Sequence, residues 1–374
     1  MLGIGIIGCG NISTAYLRLA PLFKELEVRA VADVNADTAK AQASAFNVRA
    51  QSVEDLLAAD DIDIVVNLTI PDAHFDVTRR ILEAGKHAYS EKPIVLTQEQ
   101  GEALRKLAAD KGLRVGSAPD TFLGGAHQAA RAALDAGQIG DIVAGTAHIM
   151  NHGLEHWHPN PDFFFLPGAG PMLDIGPYYI TNLIQLLGPV RRVAALTSTP
   201  FATRTISSQP RSGEKIPVKT PTNIHALLDF DSGATITLST SWDVWSHRHG
   251  HMELYGTKGS MFLPDPNWFS GDVEVVDAEG TSTMLDTQAH PFGIPNQDDH
   301  GTNKANYRTA GLAEMASAMR DGRPHRCALE LALHAVNVMT AILDAGEQGA
   351  MLDIASTCQR PAPLSQDEAH ALLR

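Results

Sequence analysis

The segment Gly8-Cys9-Gly10-Asn11-Ile12-Ser13 and the acid Asp33 are the first residues whose types and spacing point to chemistry. Gly8 permits a tight turn, and Gly10 lets backbone approach a pyrophosphate. A helix opening at Asn11 and Ile12 offers free N–H groups and the positive end of its dipole to that anion. Ser13 stands where the dinucleotide-binding fingerprint prefers Gly or Ala, and is small enough for close helix–strand packing. Asp33 follows at the roughly 20-residue offset at which an acid accepts hydrogen bonds from the adenosine ribose. A carboxylate there repels a 2′-phosphate, and Val34, Asn35 and Ala36 bring no cation to reverse the preference. The expected cofactor is NAD, with NADP as the alternative.

Histidines suggest a different chemistry. His152, His156 and His158, and again His247, His249 and His251, have spacings that metal ligands use. Neither set is completed by a cysteine or a compact carboxylate cluster, and hydride transfer to nicotinamide needs no metal. No metal is expected.

A glycine loop works only if a scaffold collects strand ends at one crevice. The first third of the chain alternates strand-like segments (2–7, 28–33, 64–69, 87–90, 114–117) with segments of helical apolar spacing (12–23, 36–46, 53–59, 74–84, 98–110). Ser52 and Thr97 sit at expected N-caps, Gly85 and Gly112 at expected C-caps. This is the grammar of α/β: a parallel sheet with helices on both faces, an N-terminal Rossmann domain over residues 1–118. After Pro119 the grammar changes. A helix (126–136), a strand (142–149), a His/Pro/Phe-rich stretch (151–170) and a helix (175–187) precede a strand-rich half. There, 224–230 and 234–242 flank the turn Asp231-Ser232-Gly233, followed by strands at 251–255, 260–263 and 273–276 and helices at 310–319 and 329–345. Residues 119–374 read as one C-terminal α+β domain with a large, mostly antiparallel open sheet, for substrate binding and oligomerisation. The strand run 224–276 leaves one broad face to cover, so a homodimer or dimer-based tetramer is expected.

Composition narrows the partners. The chain has 374 residues, a formal net charge of −14 and a pI near 5.5. That field repels phosphate backbones and anionic membranes, so neither nucleic acid nor membrane is an expected partner. No stretch has the unbroken apolar length of a transmembrane helix. The opening Met1-Leu2-Gly3-Ile4-Gly5-Ile6-Ile7 reads as a first strand rather than a signal peptide. Cys9, Cys327 and Cys358 are few, odd in number and far apart, which suggests a reducing, cytoplasmic setting.

Two more segments stand at strand or helix ends: Thr69-Ile70-Pro71-Asp72-Ala73-His74 and Ser90-Glu91-Lys92-Pro93. With the glycine loop, Gly168-Ala169-Gly170-Pro171-Met172-Leu173-Asp174-Ile175-Gly176-Pro177-Tyr178 and the late turn Gly322-Arg323-Pro324, they make the chain resemble the glucose–fructose oxidoreductase/inositol dehydrogenase (Gfo/Idh/MocA) family over nearly its whole length. The resemblance implies that Lys92 lies at the nicotinamide and hydrogen-bonds the reacting oxygen. It also implies that Glu91 contacts the nicotinamide-side ribose, that Thr69, Pro71 and His74 line the cofactor, and that Lys92–Pro93 is cis. Many members carry histidine where this chain has Tyr178. The variant is similar to the glucose–fructose oxidoreductase, dihydrodiol dehydrogenase and xylose dehydrogenase branch. A free phenol titrates near 10, and a neighbouring ammonium and the positive nicotinamide favour its phenolate. Tyr178 is then the acid/base, with Tyr179 the structural tyrosine. Asp174, four residues earlier and on the same helix face, orients Lys92 or the substrate hydroxyl.

On the substrate side, Asn151-His152-Gly153-Leu154-Glu155-His156-Trp157-His158-Pro159 offers an aromatic face and polar groups of the kind that hold sugars, chiefly His156 and Trp157. Asp120 and the segment Asn306-Tyr307-Arg308, Tyr307 above all, complete the expected pocket. The leading function is a dehydrogenase or reductase acting on a monosaccharide, polyol or related carbonyl. The alternatives are a glycosidase that oxidises its substrate transiently on retained NAD, and a ligand sensor on the same fold.

Overall fold

The computed structural model describes residues 1–299 and 301–374, which fold as two compact units. The first contains six parallel strands: β1 (Leu2–Ile7), β2 (Leu26–Ala32), β3 (Arg49–Ala50), β4 (Ile64–Asn67), β5 (His87–Ser90) and β6 (Val115–Ser117). Their order is β3-β2-β1-β4-β5-β6, the doubly wound order in which the chain reverses direction at β1 and ligands bind at the carboxyl ends beside that reversal. Ile4, Ile6, Ile64, Val65 and Val66 are buried without alternation, as central strands covered on both faces should be. The connecting helices are α1 (Asn11–Leu19), α2 (Ala36–Phe46), α3 (Val53–Ala58), α4 (Pro71–Glu83) and α5 (Gln98–Lys111). Ser52 caps α3 by accepting the Asp55 N–H, and Thr97 closes a capping box with Gln100. Helix α1 stops four residues short of the expected 23: Pro21 has no N–H to continue the ladder, and Ala20–Leu22 tighten into a 3-10 turn. Strand β3 escapes sequence reading because two exposed residues carry no periodicity.

Helix α6 (Gly125–Asp135) contains the division between the units. In the second unit, α7 (Pro171–Asp174) and α8 (Gly176–Leu187) accompany a nine-stranded sheet. Its strands are β7 (Ile142–Met150), β8 (Val190–Ser198), β11 (Asn223–Phe230), β12 (Thr235–Ser241), β13 (Met252–Gly256), β14 (Gly259–Leu263), β15 (Glu274–Asp277), β16 (Ser282–Met284) and the short Leu352–Asp353, while β9 (Thr203–Thr205) and β10 (Lys215–Pro217) pair separately. The sheet runs β16-β15-β14-β13-β7-β12-β11-β8 and ends on Leu352–Asp353. Every pairing is antiparallel except β12 with β7. The Asp231-Ser232-Gly233 turn joins β11 to β12 as expected, with the Phe230 N–H donating to Ala234 O at 3.0 Å. Ile224, Ala226, Leu228 and Phe230 face inward, whereas Leu227 on β11 and Leu196 on β8 lie on the outer face, 50% and 74% exposed.

The two compact units are discontinuous in sequence. The first unit comprises Met1–Gln128, Gln288–Leu333 and Pro361–Arg374, and the second Ala129–Thr287 and His334–Arg360. Local pattern shows that α9 (Ala310–Arg320) and α10 (Leu329–Gln348) are helical, but not which core takes them. Side chains distant in sequence settle it. Buried Glu314 on α9 accepts from Arg326 at 2.8 Å, and Arg326 reaches Glu368 at 2.7 Å, all within the first unit. The Arg374 N–H donates to Leu22 O at 2.9 Å, which ties the C-terminal residues beside α1.

Candidate active site

Gly8 has φ +100°, and a Cβ there would lie 2.6 Å from the Leu68 carbonyl carbon and oxygen, so only glycine fits. A Cβ at Gly10 would meet nothing within 4 Å, leaving that side of the loop open to approach. No side chain caps α1, so the N–H groups of its first turn, at Asn11 and Ile12, are available to an anion. Ser13 is buried and its hydroxyl donates back to Gly10 O at 2.6 Å, which fixes the turn.

Asp33 is bound into this cradle. Its Oδ2 accepts the Cys9 N–H at 2.8 Å and its Oδ1 the Asn35 N–H at 2.8 Å, so the acid is aimed by the loop it serves. Two apolar side chains beyond the ends of β2 and β4, the strands on either side of β1, are exposed: Val34 at 101% and Ile70 at 65%. They offer apolar cover to a flat base beside Asp33. These residues fit a dinucleotide. A cavity of about 590 Å³ opens at Asp33 and Val34 and is also lined by Lys40 and Arg80. Those two cations were not visible in the residues next to Asp33, because α2 and α4 bring them there. Each is paired with an acid, Lys40 with Asp37 at 3.4 Å and Arg80 with Glu54 at 2.8 Å.

The ends of β4 and β5 are tied together. Asn67 Oδ1 accepts from the Thr69 hydroxyl at 2.7 Å, while Pro71 starts α4. Lys92–Pro93 is cis. Glu91 Oε1 accepts from the Tyr16 hydroxyl at 2.9 Å and its Oε2 from the Lys92 N–H at 3.2 Å. Lys92 is half-buried. His74 is 1% exposed, with Nδ1 2.6 Å from Pro93 O and Nε2 3.0 Å from Thr69 O. It braces the two loops from behind. Burial is the largest influence on its pKa and lowers it, against the pull of the two carbonyls.

Tyr178 is half-exposed on α8. Asp174 does not share its helix, contrary to the sequence expectation. α7 ends at Asp174, Ile175 is the junction, and α8 begins at Gly176. Pro177 cannot donate to a carbonyl one turn back, so the ladder breaks there, and the Tyr178 N–H reaches Ile175 O at 3.1 Å instead. The four-residue spacing therefore carries no same-face argument. Tyr179 is the structural tyrosine: it is 2% exposed, with its hydroxyl 3.0 Å from His251 Nδ1.

The expected substrate residues divide. His156 and Trp157 are exposed, Trp157 at 56%. Asp120 and Tyr307 are buried and hydrogen-bonded within the fold. Asp120 is 3% exposed, and its Oδ2 accepts the N–H groups of Thr309 and Gly311, each at 3.0 Å, at the start of α9. Tyr307 is 7% exposed and donates to Ile294 O at 3.1 Å, with its ring 5.0 Å from Phe292. Both are polar residues in loops of the sequence, and only long-range packing buries them.

Burial raises the Asp120 carboxyl from its ordinary 3.8 to about 6. The folded state then holds a proton at pH 4–6 that the unfolded chain releases. Stability from this group is greatest below about pH 4 and is lost as pH rises through 6. Asp120→Asn keeps an acceptor for both N–H groups without the charge. It should gain stability over the wild type as pH rises from 5 to 7, on the order of 1 kcal/mol. Urea unfolding at several pH values checks this, and a pH-independent difference would refute it.

Among the described residues, no three His, Cys, Asp or Glu side chains converge as a metal site. The histidines have other partners: His152 stacks on Trp245, His249 on His148, and His251 bonds Tyr179. Arg204 on β9, which sequence reasoning missed, organises the segment after β7. It is 5% exposed and donates to Glu155 Oε1 (2.7 Å), Asp243 Oδ1 (2.8 Å), His152 O (2.8 Å) and Trp242 O (3.0 Å). No local pattern marks an arginine whose acids lie 49 and 39 residues away.

Residues 2–118 match the oxidoreductase family with an NAD-binding Rossmann fold, and residues 127–262 match the Gfo/Idh/MocA C-terminal domain. The chain belongs to this family of NAD-binding oxidoreductases. An uncharacterised oxidoreductase of Schizosaccharomyces pombe is 31% identical over 160 residues; the match spans 42% of this chain and 42% of that relative's own length. The levoglucosan dehydrogenase of Pseudarthrobacter phenanthrenivorans is 27% identical over 327 residues, 78% of this chain and 82% of that one. A solved levoglucosan dehydrogenase in complex with NADH and L-sorbose has the same fold, with a TM-score of 0.80 at 21% identity over 95% of this chain and 99% of that one.

Proposed function

We propose that this Gfo/Idh/MocA oxidoreductase moves a hydride between NAD and a carbinol or carbonyl carbon of a monosaccharide, polyol or related compound. The observation that carries the reading is the Glu91-Lys92-cis-Pro93 turn at the carboxyl end of β5, braced by Tyr16 and His74 beside the glycine cradle. The levoglucosan dehydrogenase relative supports the sugar class. NAD, when bound, supplies the hydride acceptor. As the substrate carbon loses hydride its hydroxyl must lose a proton. Tyr178, acting as the phenolate, takes that proton and becomes the neutral phenol, as in the tyrosine-bearing branch, and the Lys92 ammonium donates a hydrogen bond to the same substrate oxygen. Asp174 orients that oxygen or Lys92.

The test is nicotinamide absorbance during turnover of a panel of aldoses, ketoses, polyols, sugar acids and glycosides, in both directions. Stoichiometric reduction of NAD with oxidation of one panel member is expected. Glycosidic cleavage without net NADH would replace this reading by transient oxidation, and NAD binding with no turnover of any member would replace it by a sensor.

Preference for NAD is assigned to Asp33. Losing its charge-assisted bonds to ribose should weaken NAD about tenfold or more in Asp33→Ser and relax discrimination against NADP. Titration of both cofactors checks this. Wild-type protein binding NADP at least as tightly as NAD would transfer control to Lys40 and Arg80.

The outer face of the nine-stranded sheet, with Leu196 and Leu227 exposed, is assigned to a second copy of the chain, giving a dimer or dimer-based tetramer. Sedimentation at micromolar concentration should show no monomer; a monomer there would refute the assignment.

A further inference from the structure

We propose that Trp245, backed by His152, is a stacking wall for the ring of a pyranose-type sugar, additional to Trp157 on the preceding segment. The inference rests on the sugar reading above and names the surface that would select a ring with one apolar face.

The fold puts the wall where the substrate segment leaves the sheet. Because β7 and β12 are parallel neighbours, the chain after each departs from the same edge. The two segments then bond to each other: the Asn151 N–H donates to Ser241 O at 2.9 Å and the Val244 N–H to Asn151 O at 3.0 Å. Trp245 is 83% exposed, an unusual position for the largest side chain in a protein. It is nonetheless held in place. One indole face lies on the His152 imidazole, with centroids 3.3 Å apart and planes 19° apart.

His152 is itself anchored. Its carbonyl accepts from Arg204 at 2.8 Å, and the Gly153 N–H donates to Asn151 Oδ1 at 2.9 Å. Its Nδ1 is buried without a hydrogen-bond partner. Burial and the Arg204 charge lower its pKa, which favours the neutral imidazole against the indole. A neutral ring stacks without a buried cation to solvate.

The result is an exposed indole stacked on one imidazole, on a loop braced by a buried arginine. A pyranose carries a patch of C–H groups that packs against such a ring, while its hydroxyls need polar partners at the rim. Exposed Asn151, His156 and His247 on the same two segments are of that kind. A protein partner would find its broad apolar surface on the outer strands β8 and β11 instead, at Leu196 and Leu227.

The experiment compares wild type, Trp245→Phe and Trp245→Ala with saturating NAD, using D-glucose, D-xylose and levoglucosan as probes. Steady-state kinetics, NAD affinity and sedimentation are measured on each. Trp245→Ala should raise KM for the preferred probe tenfold or more with kcat within about threefold, consistent with losing one aromatic stacking contact. Trp245→Phe should restore most of the loss, and NAD affinity and oligomeric state should not move. Sugar should also perturb tryptophan fluorescence in the wild type, and less so in Trp245→Phe. If KM stays unchanged in Trp245→Ala while Tyr178→Phe abolishes turnover, the stacking wall is refuted and the hydride reading stands. If Trp245→Ala alters sedimentation with KM unchanged, the indole is a subunit contact and the proposal is overturned. If no probe is bound or turned over by wild type although a non-sugar alcohol is, the sugar reading fails and this inference with it.

Discussion

Tyr178→Phe and Lys92→Met should each lower kcat by roughly a hundredfold or more on the substrate found by the panel, with NAD affinity little changed. The phenylalanine keeps the ring on α8 and deletes only the hydroxyl; the methionine keeps most of the stem and deletes the charge. In the oxidative direction, losing the hydroxyl removes the group assigned to take the proton, and losing the ammonium removes the donor to the oxygen on which negative charge develops. Because both act on one oxygen in one step, the double variant should lose less than the product of the single losses. Steady-state rates together with calorimetric NAD titration separate chemistry from cofactor binding. Near-wild-type turnover in Tyr178→Phe would move the base to His156 or Asp174. Near-wild-type turnover in Lys92→Met would remove the catalytic reading of the Glu-Lys-Pro turn and favour a sensor.

The second large effect is on stability. Arg204→Met leaves Glu155 and Asp243, both buried, without their counter-charge, and takes donors from the His152 and Trp242 carbonyls. Breaking a buried pair from one side costs about 3–5 kcal/mol, because the remaining charge stays buried unpaired. The apparent thermal midpoint should fall by on the order of 10 °C. Arg204→Lys should recover only part, since an ammonium cannot fork to two carboxylates and two carbonyls in fixed directions. Adding Glu155→Gln to Arg204→Met should recover more than additivity allows, by removing one uncompensated charge. Differential scanning calorimetry on the four proteins is the check, and a midpoint within about 1 °C of wild type in Arg204→Met would show that the hub contributes little. The same variant should broaden the response of Trp157 and Trp245 to sugar, because the segment between them and the sheet is anchored through Arg204.

Local physics made much of this molecule legible from sequence. Gly8 must turn with positive φ, Ser52 and Thr97 must cap, and Pro21 must interrupt a ladder; each depends on neighbours within a few residues. The apolar periods of α2 and α5 and the unbroken apolar runs of β1 and β4 depend on the same short range. The doubly wound sheet, the dinucleotide cradle and the antiparallel character of the second sheet followed from such signals. Strand β8 did not, because Val190–Ser198 alternates weakly. The break after Asp174 was readable in principle from Gly176 and Pro177, but the four-residue spacing was read as one continuous helix.

What only the tertiary structure decided is which polar side chains are presented and which are used up inside. Asp120, His74 and Tyr307 are each of a type that binds ligands, yet their partners are the N–H groups of Thr309 and Gly311, the carbonyls of Thr69 and Pro93, and the carbonyl of Ile294. Arg204 is of a type usually left in solvent, and it holds a loop through acids from two other segments. The return of residues 288–333 and 361–374 to the first unit is of the same kind. Residue type and spacing determine local conformation and which groups are able to do chemistry. Burial depends on which distant segments meet, and it is the cost of an unpaired buried polar group that assigns each one its partner.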